Sequence, residues 1–326
     1  MAVSEIEQQH AAAAPAAPRG FWLQAAIFAL VGLVLYGILV VIAEQRVRAT
    51  SERNPLFQVA MADSSSVDVV VLGASHAMPL GFEGIDSALE EASGRSVMTL
   101  AAEGSGLVPN AFLLDALHKK ARPKTLVYSI DSFTFLSSQW NEERLNDTEL
   151  FARAPYDLDI LNTLIAEPAA WKALPGYLSG FHKVNRLLSS EVDRTEAELV
   201  KFGRTYRPNE RIDYQRIAYL FPETPKERMD QYLREIEDIV ESTTKAGSEM
   251  ILLLIPAPAR YTDRLPPVHK EVMAAVTEIA ARHGARLVDH TSLLPEDANY
   301  YDTDHLNRRG ATAYVTGPLA EVLRGS

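Results

Sequence analysis

The chain has 326 residues, 47% hydrophobic and 23% charged, no cysteine, and a net charge of −11 with a pI near 5.3. This composition excludes a disordered chain, and the missing cysteine excludes disulfides, thiolate zinc sites and a cysteine nucleophile. The acidic balance argues against nucleic acid as a partner, because a phosphate backbone selects basic surface.

Residues 1–20 are rich in Ala and Pro and read as a disordered tail. Residues 21–43, FWLQAAIFALVGLVLYGILVVIA, carry no charge. At ~1.5 Å rise per residue the run reaches about 34 Å, enough to cross a bilayer's hydrocarbon core. It is too long for a cleaved leader and is followed by charged residues, so it reads as an uncleaved single-pass anchor. Arg19 precedes the run, whereas Arg46, Arg48 and Arg53 follow it. A count of flanking charge alone therefore predicts a cytoplasmic domain. Residues 44–66 read as a juxtamembrane connector.

From residue 67 to 326, buried-strand runs alternate with helical patterns. The predicted strands are 67–75, 96–102, 124–133, 250–257 and 285–291. Their apolar runs are continuous rather than alternating, which predicts a parallel sheet covered on both faces. Thr224-Pro225-Lys226-Glu227 reads as a capping box opening a helix that stops near Gly247. A helix is predicted from Val268 to His283, ending at Gly284. Asn307 caps a last helix that breaks at Gly317-Pro318. The expected fold is α/β: a doubly wound, mainly parallel five-stranded sheet in a three-layer, flavodoxin-like sandwich. Residues 134–223 interrupt the alternation as a long, mainly helical insertion, readable as a lid, a glycan-binding surface or a docking surface.

In open α/β sheets ligands bind beyond the carboxyl ends of the strands. Ser75 ends the first strand in the stretch DVVVLGASHAMP, and Asp302-Thr303-Asp304-His305 precedes the last helix. A serine nucleophile needs a base, and a histidine base needs its Nδ1 hydrogen held by an acceptor. Asp302, three residues before His305, can hold it locally, so Ser75, His305 and Asp302 can form a triad. Asp304 is an alternative orienting carboxylate. His76 reads as a turn or pocket-lining residue, and Gly310 as a site of close helix packing. Asp302, Asp304, His305 and His76 could also ligate a metal, but the triad accounts for them better, so neither metal nor cofactor is expected.

The Gly73-Ala74-Ser75 turn, a glycine after the second strand and the loop YYDTDHLNRRG resemble the SGNH (GDSL) hydrolase superfamily. They resemble more specifically its membrane-anchored branch, which includes the D-alanyl transfer protein of teichoic acid synthesis and exopolysaccharide acylation proteins. The likeness covers about 67–133 and 249–323 and leaves the insertion out. It implies Ser75 as nucleophile, His305 as base and Asp302 as orienting carboxylate. It also implies an oxyanion hole from the Ser75 N–H and a glycine after the second strand, Gly104 first and Gly106 second. Two positions depart from the pattern. Ala74 stands where the superfamily has aspartate, and Ile130-Asp131-Ser132-Phe133 lacks the Gly-x-Asn-Asp block that supplies an asparagine donor. Asn110 and Asp131 are the candidates to stand near that vacant role.

The resemblance implies acyl transfer to, or ester hydrolysis on, a cell-envelope polysaccharide, O-acetylation above all, by a domain on the extracytoplasmic side of the cytoplasmic membrane. It implies a multi-spanning membrane O-acyltransferase as partner. Two alternatives use the same residues differently: a hydrolytic esterase or deacetylase, and a catalytically weak scaffold or glycan-binding subunit.

Overall fold

The computed structural model describes residues 19–63, 67–189 and 194–325. The expected tail falls largely on residues 1–18, outside the described residues. The apolar run lies in helix α1 (Arg19–Thr50), whose segment Gly20–Thr50 is long and apolar enough to cross a membrane. Two compact units are present, Met1–Ile42 and Ala43–Ser326.

In the second unit the predicted connector is largely helical and packed rather than a free linker. Ala43 and Val47 of α1 are buried, as are Leu56, Val59 and Ala60 of α2 (Pro55–Met61). Asn54 caps α2 by accepting the Phe57 N–H at 3.1 Å, and Pro55 at the first helical position needs no amide partner.

The sheet contains β1 (Val69–Leu72), β2 (Val97–Thr99), β3 (Thr125–Ser129), β4 (Glu249–Leu254) and β5 (Arg286–Asp289). All pairings are parallel and the order is β2-β1-β3-β4-β5, the flavodoxin-like arrangement. Strand periodicity explains the continuous apolar runs. Val70, Leu72, Leu126, Tyr128, Met250 and Leu252 face one layer, with α4 (Leu107–His118) and the helices Lys226–Lys245 and Pro267–His283. Val69, Val71, Val127, Ile251 and Leu253 face the other, with α3 (Ile85–Ser93) and the C-terminal helices Arg308–Tyr314 and Ala320–Arg324. Over the central strands β1, β3 and β4 both faces are dry, so both registers of side chain there are mainly apolar, whereas the edge strands β2 and β5 are only partly covered.

Helix punctuation follows the sequence with one correction. Gly284 ends its helix in the left-handed conformation, and Asn307 accepts the Gly310 N–H at 3.0 Å as a cap. Gly317-Pro318 falls in a wider turn, Val315–Leu319, before the last helix resumes. The capping box at Thr224 does not form. Pro225 takes the cap position, and the Thr224 hydroxyl donates instead to the carbonyl oxygens of Leu136 at 2.6 Å and Pro222 at 3.0 Å. Tertiary contact to the insertion outcompetes the local bond.

Candidate active site

The turn after β1 places Ser75 and His76 at the carboxyl end of the sheet. Gly73 makes this possible: its φ is +152°, and a Cβ there would sit 2.7 Å from the Ser129 Cβ of the neighbouring strand. The Ala77 N–H returns to the Ala74 carbonyl at 3.1 Å and closes the turn. Ser75 is 7% exposed, and its hydroxyl makes no hydrogen bond among the described residues.

The loop before the last helix builds the histidine. Asp302 Oδ1 accepts the backbone N–H groups of Asp304 at 3.1 Å and His305 at 2.9 Å, and both its oxygens lie 2.9 Å from His305 Nδ1. A carboxylate can only accept, so Nδ1 carries a proton, and in the neutral ring the lone pair is then on Nε2. His305 Nε2 is buried and has no hydrogen-bond partner. Tyr301 stacks on the ring with centroids 5.5 Å apart and planes 9° apart, which fixes its orientation. Burial pushes the Asp302 carboxyl up, but the charge and hydrogen bond of His305 outweigh it and hold the group below its ordinary range.

Asp304 does not share the orienting role. Its Oδ1 is 3.5 Å from His305 Nδ1, whereas its Oδ2 accepts from Arg216 Nε at 2.9 Å and His76 Nε2 at 3.1 Å. Burial is opposed there by Arg216, then by His305 and His76, and the carboxyl is held well below the usual range. His76, read from sequence as a turn or pocket-lining residue, stands in the turn and lines a small cavity, and it is also a bridge: Nδ1 is bound to Asp131 and Nε2 to Asp304. Burial alone would lower its pKa, but Asp131 and then Asp304 raise it to about 10, so the ring is a buried imidazolium at neutral pH. His76 and His305 stand 5.0 Å apart, centroid to centroid.

Several sequence expectations change at this point. The Gly106 N–H donates to the Trp140 carbonyl at 2.6 Å, which removes Gly106 as an oxyanion donor. The Asn110 amide donates to the carbonyls of Ser105 and Gly106 and to the Tyr128 hydroxyl, so it braces the loop after β2. It does not take the missing donor's role, and Asp131 is committed to His76. The backbone N–H groups of Ser75 and Gly104 donate to nothing among the described residues. No hydrogen bond joins Ser75 to His305. The side-chain ligating atoms of His76, Asp304 and His305 lie within 4.8 Å of one another. A cation there would compete with the Arg216 guanidinium for Asp304 and with a proton on His76, so this donor set does not suit a metal.

The insertion contributes residues that no motif announced. Its helix Glu210–Leu220 carries Arg216 to Asp304 and Asp213 to Arg260 at 2.9 Å. Arg260 in turn donates to the carbonyls of Thr303 at 2.7 Å and Asp302 at 3.0 Å and pairs with Asp297 at 2.6 Å. The histidine loop is thus held by a guanidinium on each side. The only trace of this in the sequence is an excess carboxylate: DTDH offers two acids where one suffices for the histidine. A second serine–histidine pair lies beside the site, with Ser132 Oγ 2.8 Å from His269 Nδ1. It shares a small cavity with His76, Asp131, Asp304 and Tyr261. Burial lowers the His269 pKa and keeps that ring neutral near pH 7, and no carboxylate is bonded to it among the described residues.

No protein-family model matches the chain, and no curated protein matches it. A solved structure from Streptococcus pneumonia, described as a "putative platelet activating factor", is similar at TM-score 0.42 and 11% identity, covering 90% of this chain and 99% of that one.

Proposed function

We propose that the chain is a membrane-anchored serine esterase or acyltransferase of the SGNH type, with Ser75 as nucleophile, His305 as base and Asp302 as its orienting carboxylate. The observation that carries this is the state of His305. Asp302 holds its Nδ1 proton, Tyr301 fixes its plane, and its buried Nε2 is left unpartnered at the sheet end where the Ser75 hydroxyl is also unpartnered. A buried acceptor without a partner costs about 1–3 kcal/mol, and a site that retains one has a use for it.

Ser75 Oγ attacks the acyl carbonyl and gives its proton to His305 Nε2. The tetrahedral oxyanion takes the N–H groups of Ser75 and Gly104. Collapse expels the alcohol, which leaves with the proton from His305, and Ser75 holds the acyl group. A second hydroxyl, from water or a sugar, gives His305 its proton and attacks the ester to free Ser75. Asp302 remains ionised throughout and stabilises the imidazolium. His76, Asp131, Asp304 and Arg216 touch no reacting atom and position the loop that presents His305.

The choice of a cell-envelope polysaccharide as acyl acceptor, the O-acyltransferase partner and an extracytoplasmic domain come from the sequence resemblance. A reporter fused to the C-terminus tests the side of the membrane. Treatment of the full chain in detergent with a fluorophosphonate probe tests the chemistry. Wild type and Ser132→Ala are expected to be labelled, and Ser75→Ala and His305→Ala are not. Labelling that survives S75A but not S132A would move the nucleophile to the Ser132–His269 pair. An unlabelled wild type would favour the scaffold reading.

A further inference from the structure

The ring that lies on His305 is itself held by a residue to which the chemistry above gives no part. Tyr301 stacks on His305 with centroids 5.5 Å apart and planes 9° apart. Its hydroxyl is bonded to Glu198 Oε2 at 2.7 Å, across 103 residues of sequence. A carboxylate can only accept, so the phenol donates. Burial first, then the charges of Asp302 and Glu198, hold the Tyr301 hydroxyl far above its ordinary pKa, so it keeps the proton it donates. The other oxygen of Glu198 accepts from Lys201 Nζ at 2.6 Å. Tyr301 is 5% exposed and the Glu198 side chain 14%, so water competes little for the contact.

Glu198 reaches the loop on the insertion's helix Arg194–Lys201. The residues that follow this helix are bound along the loop's backbone. The Tyr206 N–H donates to the Tyr300 carbonyl at 2.8 Å, the Arg308 N–H to the Phe202 carbonyl at 2.9 Å, and the Asn307 amide to the Arg204 carbonyl at 3.1 Å. These bonds fix where the loop runs. The bond from Tyr301 to Glu198 fixes the ring that faces the base.

In the proposed chemistry His305 becomes an imidazolium each time it takes a hydroxyl proton. Asp302 at 2.9 Å and Asp304 at 3.5 Å favour that charge, while the His76 imidazolium, 5.0 Å away between ring centres, opposes it. The face of Tyr301 adds to the favourable side. A cation within ~6 Å of an aromatic face gains about 2 kcal/mol when both are desolvated. Donation of the phenol hydrogen to a carboxylate pushes electron density into the ring and strengthens that attraction. A neutral imidazole gains far less. The contact is therefore stronger in the transition state than in the resting site, which is the condition for raising kcat.

We propose that Glu198 is a positioning residue for the Ser75 chemistry: it holds Tyr301 flat on His305 and polarises that ring toward the imidazolium. The proposal rests on the reading of Ser75, His305 and Asp302 as a triad.

The full chain in detergent is assayed for hydrolysis of p-nitrophenyl acetate. Glu198→Ala and Tyr301→Phe are each expected to lower kcat by about five- to tenfold with KM within about twofold, because the contact acts when His305 is charged. Both remove the same hydrogen bond, so the double variant should lose no more than the larger single. Single losses that multiply in the double, a rise in KM alone, or a kcat within about twofold of wild type in both singles overturns the proposal. Tyr301→Phe keeps the ring and Glu198→Gln keeps an acceptor, so the comparison stands where Glu198→Ala does not fold. Glu198→Gln is expected to lose about threefold and to add nothing to Tyr301→Phe. Activity that is lost in Ser75→Ala but unchanged in the Glu198 variants overturns this inference and leaves the triad standing. Activity that survives Ser75→Ala, or a wild type that turns over no ester, overturns both.

Discussion

Arg216→Met isolates the link between the insertion and the histidine loop. The substitution keeps much of the aliphatic stem but removes the guanidinium from Asp304, whose side chain is 0% exposed while that of Arg216 is 24% exposed. Removing one partner of a fully buried ion pair costs about 3–5 kcal/mol, because the other charge is left without compensation. Two features reduce that figure: Arg216 is partly solvated, and His76 still holds Asp304 from the other side at 3.1 Å. The expected loss is about 2 kcal/mol, read by urea titration of the tryptophan fluorescence of the full chain in micelles at pH 7. Asp304→Asn removes the charge that needs Arg216, so the double variant should be less destabilised than the sum of the singles by about 2 kcal/mol. Arg216 is a principal cause of the depressed Asp304 pKa, so the cost of R216M should shrink as pH falls through the acid range, where Asp304 protonates in both proteins. A coupling below about 0.5 kcal/mol, the value of an exposed pair, would refute the idea that Arg216 balances a buried charge.

Three further outcomes follow from the same geometry. Asp302→Asn should leave the fold intact but lower the rate of model ester hydrolysis by roughly 10³–10⁴, because an amide can donate to Nδ1 and stabilise the wrong tautomer; a loss under tenfold contradicts the assigned role. His76 has a folded pKa raised above that of a free imidazole, so its contribution to stability is complete below about pH 6.5 and is lost as pH rises towards about 10. Urea titrations between pH 6.5 and 10 should therefore fall in wild type by more than in His76→Asn, and parallel profiles would show that His76 is not a buried cation. Gly310→Ala would place a Cβ 2.3 Å from the Asn299 carbonyl oxygen and 2.9 Å from Leu306 Cδ2. Overpacking of this kind costs about 1–3 kcal/mol, and an unchanged unfolding midpoint would show that the last helix is not seated as described.

The linear chain determined those features that depend on nearest neighbours and on period. Five apolar runs become the five strands, the three central ones because both their faces are dry, and Gly284 and Asn307 end and begin helices through bonds within a few residues. Asp302 and His305 belong to this class, since three residues of one turn suffice to bring the carboxylate onto Nδ1. Thr224 shows the limit: the predicted cap does not form, and its hydroxyl points to the distant carbonyl of Leu136 as well as to that of Pro222. The rest of the site comes from sequence separations that no local pattern encodes. His76 meets Asp131 across 55 residues and Asp304 across 228, and Arg216 reaches Asp304 from an insertion without a motif. Only the folded sheet brings these charges together, because a carboxylate removed from water must be met by whichever cation the topology delivers to it.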